Sequence, residues 1–160
     1  MQTLQKLMIR DVYGFDTNPS LIVGPDEDFA DIIQRFANLP ELRGIFVADT
    51  EQRLLGIITR TDLLDWARMK LSPVSQVLSP HHEKTFRLIS LIHASTAGQV
   101  MRPDSHRAAV KPDDSLAHAL RLMIELDLIV LPVVDEANRI VGDLKLSELL
   151  AAVVVVDEEQ

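Results

Sequence analysis

The chain has 160 residues, no cysteine and a net charge of −8, with 47% hydrophobic and 25% charged residues. This composition suits a globular protein, excludes a disulfide framework or thiolate zinc site, and lacks the clustered basic face that nucleic acid requires. Its longest apolar run, Leu149–Val156, has eight residues, against the roughly 20 needed to cross a bilayer, and no signal-like apolar core opens the chain. The expectation is a soluble cytoplasmic protein, either whole or the soluble portion of a larger membrane protein.

In chain order, Leu21–Val23 reads as a short strand. Pro25-Asp26 sets a helix start with Asp as its N-cap, and Phe29, Ile32, Ile33 and Phe36 recur on one face of that helix. Gly44–Ala48 and Leu54–Ile58 are short β-rich runs around the polar turn Asp49–Arg53, a hairpin pattern. A second helix is expected from Thr61-Asp62, with Trp66 in it as core or interface packing. Leu71–Pro80, rich in Ser and Pro, reads as a loop, and Glu83–His93 as a linking helix through Phe86, Leu88, Ile89 and Ile92.

The pattern then starts again. Ala108–Val110 reads as a strand, and Pro112-Asp113 opens a helix carrying Leu116, Ala119, Leu120 and Met123. Ile129–Val134 and Arg139–Leu144 flank Asp135–Asn138, and a helix follows from Ser147-Glu148. Val153–Gln160, a β-branched run with an acidic tail, receives no assignment. Val23–Leu64 therefore recurs in degenerate form as Val110–Leu150, with Asp49/Asp135, Arg53/Arg139, Gly56/Gly142 and Leu63-Leu64/Leu149-Leu150 in register. Each copy is one supersecondary unit that needs its twin. Two copies imply a closed pseudo-twofold pair of β-α-β-β-α units, broadly α/β in class.

The duplicated order of Pro-Asp before a helix, a strand ending in Val-Asp, and Gly-hydrophobic-x-Thr-x-x-Asp resembles a tandem pair of CBS (cystathionine β-synthase-type) domains. The closer match to the pattern is GQVMRPDSHRAAVKPDDSLAHALRLM followed by LPVVDEANRIVGDLKLSELL. The resemblance implies repeat 1 over 8–70, a linker with a helix over 71–97, and repeat 2 over 98–152, packed through their sheets. It also implies a regulatory sensor that binds an adenosine-containing ligand (AMP, ADP, ATP or S-adenosylmethionine) and relays occupancy to a partner. A homodimer and association with a transporter or enzyme are expected on the same basis. The alternative is a ligand-free dimerisation or assembly module.

Gly56-Ile57-Ile58-Thr59-Arg60-Thr61-Asp62 passes from strand to helix. Unpaired N–H groups and the helix dipole make such a place suited to a phosphate. By family analogy, Thr59 and Thr61 are polar contacts, Asp62 is the ribose anchor and Ile57 is an apolar wall for the base. Arg43, within Leu42-Arg43-Gly44, is the analogue of a basic residue facing the phosphates. Outside such a pattern, Thr or Asp at a helix start is usually only a cap.

Copy two departs from this set. Lys145 stands for Thr59, Ser147 for Thr61 and Glu148 for Asp62, while Ile129 and Val130 replace Arg43 and Gly44. Lys145 either attracts a phosphate or fills the space, and the first site is expected to be the more competent. His106 and Arg107 are candidate cationic helpers, although solvated loop groups of this kind are commoner. His81-His82-Glu83, with His93 beyond, lacks the helical-turn spacing of a zinc site and reads as surface linker. No phosphate-cradling glycine loop or nucleophile elbow occurs, so neither enzymatic activity nor a required cofactor is expected.

Overall fold

The computed structural model describes residues 6–14, 20–38, 44–71, 82–102 and 104–159. Strand β1 (Leu21–Val23) lies parallel to β2 (Ile45–Ala48), which pairs antiparallel with β3 (Leu54–Ile58). Helix α1 (Phe29–Asn38) joins β1 to β2, and α2 (Arg60–Leu71) follows β3. Two connecting helices, α3 (His82–Ile92) and α4 (Ala97–Val100), lead to the second unit. That unit holds α5 (Leu116–Leu126), the antiparallel pair β4 (Val130–Val134) and β5 (Ile140–Lys145), and α6 (Leu146–Glu158). The expected β-α-β-β-α unit is thus present twice, with one reduction. Ala108 ends a 3₁₀ turn, Ser105–Ala108, so the expected strand Ala108–Val110 shrinks to a single bridge between Val110 and Val133.

Helix starts differ from the sequence expectation in a consistent way. Pro25-Asp26 and Pro112-Asp113 occupy tight turns, closed by Glu27 N–H to Gly24 O at 3.3 Å and Asp114 N–H to Lys111 O at 3.0 Å. The true caps come later: Asp28 Oδ1 accepts from Ala30 and Asp31, and the Ser115 hydroxyl oxygen accepts from His118 N–H at 3.1 Å. The second helices begin earlier than expected, at Arg60 and Leu146, which places Asp62 and Glu148 third in their helices. Each acid reaches back to the residue before its helix, as Thr59 N–H donates to Asp62 Oδ2 at 2.9 Å and Lys145 N–H to Glu148 Oε1 at 3.0 Å. The unassigned tail is helical through Glu158, because Val153 packs on the core and Val156 is buried, and that packing outweighs the small helix penalty of β-branched residues. Residues 72–80 of the expected loop lie outside the described residues.

The two hairpin turns are copies of one device. Asp49 Oδ1 accepts the N–H groups of Glu51 and Arg53, and its Oδ2 accepts Arg53 Nε at 3.0 Å. Asp135 does the same for Ala137 and Arg139, with Arg139 Nε at 3.3 Å. Gln52 and Asn138, at matched positions, are both left-handed with φ of 65° and 63°. The turns then clasp each other: Leu54 N–H donates to Asn138 O at 3.0 Å, Ile140 N–H to Gln52 O at 2.9 Å, and Arg53 bridges antiparallel to Arg139.

Each unit also lends its entry segment to the other. In the N-terminal segment, Ile9 N–H donates to Asp114 O and Arg10 N–H to Pro112 O, both at 2.9 Å. At the opening of repeat 2, Ala97 N–H donates to Glu27 O and Gly98 N–H to Pro25 O, so this segment caps repeat 1. Strands β2 and β4 are buried along their whole length, which explains their unbroken apolar sequence. One face of β2 contributes Phe46 to a core shared with Val110, Leu131, Val133 and Leu144 of the other repeat. Its other face, Ile45 and Val47, joins Phe29, Ile32, Leu88 and Leu91 in a second core. Trp66 packs at the edge of that second core, edge-on to Phe29 with centroids 5.1 Å apart.

Two predictions follow from this packing. A Cβ on Gly142 would lie 2.8 Å from the Tyr13 ring, whereas one on Gly24 would meet only Glu27 side-chain atoms at 3.7 Å or more. Gly142→Ala should therefore cost about 1–3 kcal/mol in urea unfolding, as overpacking does, and Gly24→Ala far less. The second concerns acid. Hydrogen bonds from the backbone N–H groups of Arg53 and Arg139, foremost, hold Asp49 and Asp135 below the ordinary carboxylate value. A depressed folded pKa gives stability that is present above the unfolded value of about 3.9 and lost as pH falls through the folded one. The urea midpoint of an Asp49→Asn/Asp135→Asn double variant should fall less steeply than wild type below about pH 4.

Candidate functional site

Gly56 places the first site. A Cβ there would stand 2.5 Å from Ser105 Oγ and 2.8 Å from Met101 Sδ, so glycine lets Met101 and Ser105 close onto β3. Ser105 Oγ accepts Ile57 N–H at 2.9 Å and donates to Arg102 O at 2.7 Å, which locks these residues down. Arg102 is thereby carried to the first turn of α2. A cleft of about 650 Å³ opens between this turn and the second repeat. Ile57, Ala108, Leu126 and Leu128 form its apolar wall, Thr59, Thr61 and Ser105 its hydroxyl edge, and Asp65, Arg87, Arg102 and Asp104 its charged groups.

Asp62 lies beneath this surface with 0% exposure. Its Oδ2 accepts the Thr59 N–H and hydroxyl, both at 2.9 Å. Its Oδ1 accepts Arg87 Nη2 at 3.0 Å and Arg102 Nε at 2.8 Å. Arg87 also donates to the Val100 carbonyl. A carboxylate offers about four acceptor sites, and here protein donors take all of them. Asp62 thus caps α2 and holds both guanidinium groups.

Of the residues singled out in the sequence, Ile57, Thr59 and Thr61 meet in this cleft. Gly44 lines a small adjoining crevice that shares Ile57, Thr59 and Leu128 with the cleft, and a Cβ on it would be 2.6 Å from Val130 Cγ1. Leu42 and Arg43 lie outside the described residues, as do His81 and the side chains of His82 and Glu83. No group of three or more metal-ligating side chains gathers among the described residues. His106 and Arg107 are exposed on the 3₁₀ turn and do not line the cleft. The cations found there, Arg87 and Arg102, fall outside the duplicated stretches, so repeat register could not flag them.

The equivalent place in repeat 2 is a different chemical environment. Its cleft, about 520 Å³, is bordered by Ser147, Glu148 and Asp11 among aliphatic side chains such as Ala151, Val155 and Val156. Lys145 is turned inward at 1% exposure, its Nζ 3.2 Å from Asp143 Oδ1. Asp143 Oδ2 in turn accepts Ser20 N–H at 3.0 Å and the Ser20 hydroxyl at 2.5 Å. Lysine in place of Thr59 therefore fills space and ties repeat 2 to the approach of β1, and no cation lines the second cleft among the described residues.

Removing Asp62 should affect folding as well as any binding. Asp62→Ala deletes the cap and leaves Arg87, 19% exposed, without its carboxylate, which should cost on the order of 3–5 kcal/mol. Asp62→Asn keeps an acceptor for Thr59 N–H and should cost less. Urea unfolding of the two variants checks this ordering.

A search of curated proteins finds no match for the chain. Among solved structures it resembles CBSX2, a CBS-pair protein of Arabidopsis thaliana, in complex with AMP, at 24% identity and TM-score 0.72, over 94% of this chain and 99% of that one. A CBS domain-containing protein of Thermotoga maritima is 27% identical with TM-score 0.71, over 91% and 93% of the two chains. The cytosolic domain of the Mg2+ channel MgtE in complex with ATP is 22% identical with TM-score 0.55, over 83% of this chain and 44% of that one. The CBS domain family profile matches residues 6–68 and again 97–158. These two matches coincide with the two structural repeats, and the chain belongs to the CBS domain family.

Proposed function

We propose that this chain is a regulatory sensor whose first cleft binds an adenine nucleotide and relays occupancy to a partner protein or domain. The observation that carries the reading is the cleft beside α2, where an apolar wall able to take a base faces two arginines and a hydroxyl edge. Its volume, about 650 Å³, falls within the ~300–1,000 Å³ usual for small-molecule sites. AMP in CBSX2 and ATP in the MgtE cytosolic domain support the ligand class. The second cleft, acidic and apolar, is a poor place for a phosphate, so one nucleotide per chain is proposed.

Relay requires two states that the ligand distinguishes, since a ligand shifts an equilibrium only by its differential affinity. The exchanged entry segments suit this, because the cleft touches α3, the segment of Arg102 and repeat 2 together. A homodimer is part of the proposal. Leu64 and Leu150, at matched positions on α2 and α6, are 63% and 51% exposed, and Val154 and Val155 extend the apolar face of α6. Among the described residues no helix is long and apolar enough to cross a membrane, and a cytoplasmic location is proposed with association to a transporter or enzyme.

A second reading, a ligand-free assembly module, is favoured by one specific observation: the acceptor sites of Asp62 are already filled. Calorimetry with AMP, ADP, ATP and S-adenosylmethionine separates the two. The sensor reading expects saturable heat with at least one of them at one site per chain. A stable dimer by sedimentation, with no heat and no melting shift at about millimolar ligand (a Kd near 1 mM is only about −4 kcal/mol), selects the assembly reading.

A further inference from the structure

Two guanidinium groups converge on one carboxylate oxygen at the wall of the first cleft. Arg87 Nη2 and Arg102 Nε both donate to Asp62 Oδ1, at 3.0 and 2.8 Å. Two positive charges share one negative, and the other oxygen of Asp62 is committed to Thr59. Arg87 is held from two sides, by Asp62 and by the Val100 carbonyl, and is 19% exposed. Its Nε is nonetheless buried without a hydrogen-bond partner among the described residues, a donor that folded proteins seldom leave unmatched.

Arg102 differs in being only loosely committed. It is 47% exposed, it lines the cleft, and among the described residues the Nε bond to Asp62 is the only hydrogen bond of its side chain. The two Nη groups, the prongs that match a phosphate in bidentate fashion, are left over. Asp104 lines the same cleft and opposes an incoming anion, so a phosphate needs a cation that can turn toward it. Arg87 is anchored; Arg102 can turn.

We propose that Arg102 is the phosphate-receiving residue of this cleft and that Asp62 holds it in reserve. A ligand phosphate takes the guanidinium from a one-point contact with Asp62 into a two-point contact of its own. This rests on the nucleotide reading of the cleft and adds to it the residue that discriminates phosphorylated from unphosphorylated adenosine. Because Arg102 lies in the segment that Ser105 pins to β3, the same exchange pulls on the entry to repeat 2.

The test compares AMP with adenosine by calorimetry on the full chain and on Arg102→Gln. Wild type should prefer AMP. Arg102→Gln should lose AMP affinity by roughly ten- to a hundredfold, the range of charge-assisted hydrogen bonds, and keep its adenosine affinity. Equal losses for both ligands, or unchanged AMP binding, overturn the assignment of Arg102 while leaving the nucleotide reading intact. Wild type binding neither ligand overturns both. Arg102→Lys, which keeps the charge and loses the fork, should fall between, and it carries the comparison should the glutamine variant not fold. The Arg102 Nε–H resonance, assigned by its loss in Arg102→Gln, should move with AMP and stay with adenosine; a resonance unmoved by bound AMP overturns the exchange.

Discussion

Everything else in this fold is arranged around the clasp between the two hairpin turns. A unit of about 60 residues is only marginally stable alone, so each repeat gains by being completed by the other. Asp49 and Asp135 build identical turns by gathering backbone N–H groups onto one carboxylate oxygen. Those turns force left-handed backbone at Gln52 and Asn138, and the carbonyls of those two residues then accept the N–H groups of the opposite strands, Ile140 and Leu54. The clasp sets the sheets against each other, and the shared core of Phe46, Ile57, Leu131 and Leu144 follows.

The exchange of entry segments extends the same dependence. The opening residues of repeat 1 pair with the α5 entry, and those of repeat 2 pair with the α1 entry. Neither repeat can shift without moving a segment that belongs to its twin in sequence. Glycines at matched positions 56 and 142 make this possible, since any larger residue would meet the lent segment at Ser105 or at Tyr13.

Symmetry of the scaffold does not carry over to the clefts. At the two helix starts, an acid three places into the register caps the backbone in both repeats, so the acid itself cannot tell the sites apart. The neighbours do. Arg87 and Arg102 converge on Asp62 in the first, while in the second the cation is Lys145, turned inward onto Asp143 and away from the cleft. One site presents positive charge to the cleft and the other neutralises it internally, from the same local fold.

What the sequence alone determined is whatever recurs in it: the two β-α-β-β-α units, their hairpins, the matched apolar faces and the place where strand passes to helix. These are local patterns, governed by periodicity and turn chemistry, and duplication made each legible twice. The first helix of each repeat starts two residues later than expected because capping depends on which carboxylate or hydroxyl reaches a free N–H, as Asp28 and Ser115 do and Asp26 and Asp113 do not. The single bridge at Val110 had no local signal, because a 3₁₀ turn took Ala108 into the core. The tertiary structure alone decided the site's charge. Arg87 and Arg102 stand 25 and 40 residues from Asp62 in the chain, outside the duplicated stretches, and only packing of their segments onto β3 and α2 brings their charges to one oxygen.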